Sequence, residues 1–154
     1  MSHNEITNAC LNSEGVAFQQ TIEEFFKTFD DSSFDWHLNS LLQNWLCPDH
    51  KSHKSRIEIA DSVFFVTTLT TFTRAMNQCQ AESKFLRYFY DIYDQSVVED
   101  YLNNMISMWI CPAIKGDELP NLIHQEAANF VDFTYNIIKL LLELSLDLKG
   151  GSLW

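Results

Sequence analysis

The chain has 154 residues and a mass of 17.9 kDa, one domain's worth, with 46% hydrophobic residues and 12 Phe to build a core. Lys plus Arg is 10 and Asp plus Glu is 21, giving a formal charge of -11 and a pI near 4.6; nucleic-acid phosphates and anionic membranes are both repelled by such a balance. Gly is 4 and Pro is 3, too few for Gly-rich phosphate loops or a turn-rich β-sandwich.

In chain order, a first helix is expected over about 14 to 29, because Phe18, Ile22, Phe25 and Phe29 recur at helical spacing. The Asp30-Asp-Ser-Ser run breaks it and leads into a second helix over about 34 to 46, with Leu38, Leu41, Leu42 and Trp45 on one face. Pro48 stops that helix. Ser55-Arg-Ile-Glu58 reads as a capping box opening a third helix to about 80. Within it, Val63 to Phe72 has strand composition. Its place in the repeat described below argues for helix, central and buried because it is apolar nearly all round. A fourth helix runs from about 82 to 93. Ser96-Val-Val-Glu99 reads as a second capping box, opening a helix with Val98, Leu102, Met105, Ile106 and Trp109 inward and stopped by Pro112. After a loop with Gly116, Pro120 sits near the first turn of a last helix reaching about 148. Its stripe is Ile123, Ala127, Phe130, Thr134, Ile137, Leu141, Leu144 and Leu148.

The plan occurs twice. At an offset of 64, positions 25 to 48 lie over 89 to 112 with eight of 24 residues identical, including Trp45-Leu-Cys47-Pro48 over Trp109-Ile-Cys111-Pro112. Average composition predicts about one or two identities. Beyond the Cys-Pro pair the register slips by four, and Glu58, Ala60, Val63 and Phe65 match Glu126, Ala128, Val131 and Phe133. The expected fold is therefore all-α. It is a compact single-domain bundle (1-154) of about six helices, built as two tandem three-helix units, approximately 14-80 and 82-148, with pseudo-two-fold symmetry.

Catalytic motifs are absent: there is no His-Glu-x-x-His, no P-loop, no Gly-x-Gly-x-x-Gly, and no histidine placed beside a nucleophile motif. Cys47-Pro-Asp-His50-Lys-Ser-His53 has ligand types for zinc, but the second unit lacks the histidines and no Cys-x-x-Cys accompanies it. No cofactor, no metal site and no enzyme are expected. The paired Cys47 and Cys111 read as small buried apolar residues. With neither a basic, apolar leader nor a run of roughly 20 apolar residues, the chain reads as cytoplasmic, with Cys10, Cys47, Cys79 and Cys111 reduced.

Charge placement is the most informative functional feature. Carboxylates gather at the end of the first helix of each unit and the start of the second. One corner carries Asp30, Asp31 and Asp35; the other carries Asp91, Asp94, Glu99 and Asp100. Part of this charge complements helix N-termini, and a solvated acidic face is the plain alternative. The sharper reading is a surface that meets a basic protein, with Tyr90 of the Phe85 to Tyr93 aromatic run among the anchoring rings. An inhibitor, immunity or antitoxin-like protein that blocks a basic site such as a nuclease has this character. It implies a basic protein partner, no direct nucleic-acid binding and no membrane. Two other readings stand beside it: a bundle holding a small apolar ligand or metal between its units, and a homodimeric structural subunit joined through the C-terminal Leu stripe.

Overall fold

A computed structural model of the protein describes residues 15–47, 55–110 and 123–150. Those residues form six α-helices and one short 3-10 turn, with no strand among them. The helices are α1 (Gly15–Thr28), α2 (Asp31–Leu46), α3 (Arg56–Gln78), α4 (Lys84–Ile92), α5 (Gln95–Ile110) and α6 (Ile123–Gly150); the 3-10 turn Gln80–Glu82 joins α3 to α4. Pro48, Pro112, Gly116 and Pro120 lie outside the described residues, as do Cys10, Cys111, His3, His50 and His53.

Local sequence sets the starts. Asp30 caps α2 by accepting a bond from Ser33 N at 2.9 Å, so this helix begins three residues before its expected start. Ser55 and Glu58 form the expected capping box, both reciprocal bonds at 3.1 Å. Ser83 caps α4 through the N–H groups of Phe85 and Leu86. The second expected box does not form. Helix α5 already includes Gln95, which puts Ser96 within its first turn, and the Glu99 carboxylate turns to Arg74 instead. Segment 63–72 is helical as expected, but not buried on every side. Phe65, Val66, Leu69 and Phe72 face the core, while Val63 and Phe64 are exposed, because α3 has neighbours on only part of its circumference.

Each apolar stripe meets the core. Phe18, Ile22, Phe25 and Phe29 are buried, as are Phe130, Thr134, Ile137, Leu141 and Leu144 of α6. Each fully buried Phe, Ile or Leu contributes about 1.5–3 kcal/mol relative to exposure. The C-terminal Leu stripe thus lies within the protein's own core.

The long helices pack across the expected units. The main partner of α3 is α5, that of α6 is α2, and α2 and α5 pack on each other. Both long pairs run antiparallel. Arg74, near the end of α3, meets Glu99 near the start of α5. Ser145 and Lys149, near the end of α6, meet Asp31 at the start of α2. At the other end Trp45 stacks on Phe130, centroids 3.8 Å apart.

Burial repeats at the same offsets as the sequence. In α2 the buried positions are Phe34, Leu38, Leu41, Asn44 and Trp45; in α5 they are Val98, Leu102, Met105, Met108 and Trp109, each 64 residues on. Aromatic geometry repeats too. Phe65 stacks on His37 (4.6 Å, 12°) and meets Phe29 edge-on (5.0 Å, 85°). At the matched positions Phe133 stacks on Tyr101 (4.5 Å, 12°) and meets Tyr93 edge-on (5.3 Å, 85°). Asn44 Nδ2 donates to Met108 O at 3.1 Å, so these two matched positions touch each other where α2 and α5 meet.

Candidate functional site

The first acidic corner is built on the α1–α2 turn. Asp30 is spent on capping, and the bonds from Ser33 N and Ser32 Oγ hold its carboxyl below the usual range. Asp31 ties α2 to the end of α6: Ser145 Oγ donates to it at 2.6 Å and Lys149 Nζ at 2.7 Å. The Lys149 bond, then the Ser145 bond, lower its pKa. Asp35 is exposed, and Asn39 Nδ2 donates to its Oδ1 at 3.0 Å. Beside this corner Glu23, Lys27, Asp30 and Lys149 rim a hollow of about 420 Å³.

At the second corner Asp91, Asp94 and Asp100 are exposed. Glu99 is partly buried and held by Arg74 in a two-point bond, Nε to Oε2 at 2.9 Å and Nη2 to Oε1 at 2.5 Å. That bond, with a further one from Gln95, holds the Glu99 carboxyl below its ordinary value. Tyr90 points inward. It is 7% exposed, and its hydroxyl donates to Thr73 O at 2.6 Å; burial pushes its pKa far up. Tyr88, 64% exposed, is the outward ring of that helix.

Asp31 and Glu99 therefore do internal work at related places, each fastening the start of a second helix to the end of the long helix that packs on it. Asp35, Asp91, Asp94 and Asp100 take part in no ion pair among the described residues.

An aromatic patch lies beside the first corner. Trp36 is 59% exposed and Phe64 56% exposed. His37 joins them: it meets Trp36 edge-on at 5.1 Å and Phe29 at 5.8 Å, and Phe29 in turn touches Phe64 at 5.7 Å. Burial lowers the His37 pKa, partly offset by the charge of Asp61. Its Nδ1 is buried without a hydrogen-bond partner, as suits a neutral ring packed flat on Phe65. The patch was legible in principle, since Trp36 falls off the stripe of Phe34, Leu38, Leu41 and Trp45 and so had to face outward.

Two cysteine expectations change. Cys47 is free and exposed rather than buried, because α2 ends at its C-cap facing solvent. Cys79, buried at the end of α3, is disulfide-bonded, with a partner outside the described residues. An even cysteine count cannot reveal this, since pairing requires Cα atoms within roughly 7 Å. Among the described residues no three His, Cys, Asp or Glu side chains converge as metal ligands. No described helix is long and apolar enough to cross a membrane.

No protein-family model matches the chain, and no curated protein or solved structure matches it significantly.

Proposed function

We propose that the protein is a non-enzymatic, acidic helical binding module that engages a basic protein, in the manner of a stoichiometric inhibitor or an immunity or antitoxin-like protein. The carrying observation is that exposed Trp36 and Phe64 lie beside a corner whose Asp35 takes part in no ion pair among the described residues. Trp is the residue type most suited to anchor an interface, and Asp35 stands next to it in sequence. The free carboxylates would speed the encounter with a basic surface and set its salt dependence. The matched burial and ring geometry of the two halves and the equal 16-residue lengths of α2 and α5 support a duplication, which would place a second set of carboxylates, Asp91, Asp94 and Asp100, at an equivalent corner.

The test is quantitative affinity capture from extract of the native host, at low and high salt. Three baits are compared: wild type, Asp35→Lys/Asp91→Lys/Asp94→Lys/Asp100→Lys, and Trp36→Ala. A basic protein captured by wild type and lost with both variants and with salt is the expected result. Equal recovery on the charge-reversed bait would sink the reading.

A second reading rests on the outer face of α6, where Val131, Tyr135, Leu142 and Leu146 are exposed at helical spacing. That stripe, rather than the buried Leu stripe, would join two copies of the chain. Sedimentation equilibrium decides it: a dimer that Leu142→Glu/Leu146→Glu converts to monomer supports it, and a monomeric wild type removes it.

A further inference from the structure

The two halves differ on one pair of matched helical faces. Between α4 and α6 lies a groove of about 430 Å³, within the roughly 300–1,000 Å³ of small-molecule sites. Phe89 and Leu140 form its buried floor, and Phe85 and Tyr88 form one wall. Lys84 and Lys139 stand on opposite sides, one on each helix, with Asn136 and Glu143 completing the lining. Lys84 Nζ sits 5.4 Å from the centre of the Phe85 ring. Neither lysine takes part in an ion pair among the described residues, where the two pairs are Arg74–Glu99 and Lys149–Asp31.

At the matched positions of the first half the same two helical faces meet differently. Phe72 stands where Leu140 stands, and it stacks on Phe25, the counterpart of Phe89, at 4.2 Å and 21°. Gln20 and Thr71 stand where Lys84 and Lys139 stand, and Ala75 stands in place of Glu143. Thus the second half has a smaller side chain on its floor and two added cations, in a chain of net charge -11. Both ammonium groups flank the apolar floor with no ion pair among the described residues. They complement a ligand with an apolar body and one negative end.

We infer that the α4–α6 groove binds a small anionic amphiphile, a carboxylate with a single aliphatic chain. The chain lies on Phe85, Phe89 and Leu140, and the carboxylate sits between Lys84 and Lys139. Glu143 on the same wall limits the net charge of the site to about one positive unit, which favours a monoanion over a phosphate-type dianion.

Isothermal titration of the full chain with decanoate tests this, with decyltrimethylammonium as the probe of opposite charge. One decanoate per chain is expected, bound at least tenfold tighter than the cation. Lys84→Gln/Lys139→Gln, both at exposed positions, should weaken decanoate at least tenfold and erase the preference between the two probes. Leu140→Phe should weaken both probes at least tenfold by filling the floor. The inference is overturned by absent decanoate binding, by equal affinity for the cation, or by unchanged affinity in the lysine variant, whatever the folding of Leu140→Phe.

Discussion

Exchanging the floor residues of the two halves has calculable consequences. Phe72 is buried, stacked on Phe25 at 4.2 Å and edge-on to Phe26 at 6.2 Å. Phe72→Leu removes both ring pairs, of which the close stack accounts for about 0.5–1.5 kcal/mol. It also leaves an unfilled volume on the order of 30 Å³, which at about 24 cal/mol per Å³ adds roughly 0.7 kcal/mol. The expected loss is about 1.5–2.5 kcal/mol. In urea, with a slope of about 1–3 kcal/mol per M, the unfolding midpoint should fall by roughly 1 M. The reciprocal change, Leu140→Phe, should stay within about 1 kcal/mol of wild type, because the groove beside Leu140 has room for a ring against Phe89. Overpacking a filled core costs about 1–3 kcal/mol. A loss above about 2 kcal/mol for Leu140→Phe would mean that no open space exists beside Phe89. Equilibrium urea unfolding followed by far-UV circular dichroism measures both values.

Glu99→Gln removes the charge from the two-point bond to Arg74, and because both side chains are solvent-accessible the cost should be only about 0.5–1 kcal/mol at pH 7. The lowered folded-state pKa values of Asp31 and Glu99 stabilise the fold above their ordinary values of 3.8 and 4.5 and lose that contribution as pH falls through the folded values; urea titrations between pH 6 and 3 should show a shallower acid loss for Glu99→Gln than for wild type. The His37 pKa is also lowered, from 6.5, so the unfolded chain takes up this proton first and stability should fall as pH drops below 6.5. His37→Tyr, the residue at matched position 101, should keep the stack on the Phe65 ring and flatten the profile between pH 7 and 5. Maleimide should label Cys47 in the native protein, whereas Cys79 should stay unlabelled even in denaturant until a reductant is added; mass spectrometry of the digested protein reads both.

Most of the secondary structure was legible in the residues because it depends on local spacing. The stripe of Phe18, Ile22, Phe25 and Phe29 and the Ser55–Glu58 box mark helices whatever lies around them. Even the strand-like 63–72 segment yielded to its counterpart at 131–140. The candidate surface was legible only in part. Which carboxylates remain free depends on side chains far away in sequence: Lys149 claims Asp31 across 118 positions, and Arg74 claims Glu99 across 25. Tyr90 falls on the face of Leu86, Phe89 and Tyr93, so its inward turn was legible in the spacing, whereas its bond to Thr73 O was not.

The sequence by itself determined most of the helices and their apolar faces, because periodicity and capping act within a few residues. Tertiary structure decided the rest. It crossed α3 onto α5 and α6 onto α2, since each long helix buries its stripe against the partner with the complementary face rather than its neighbour in the chain. It left Trp36 and Phe64 exposed, linked through His37 and Phe29. It also left a groove beside Leu140, where the matching Phe72 stacks on Phe25 instead.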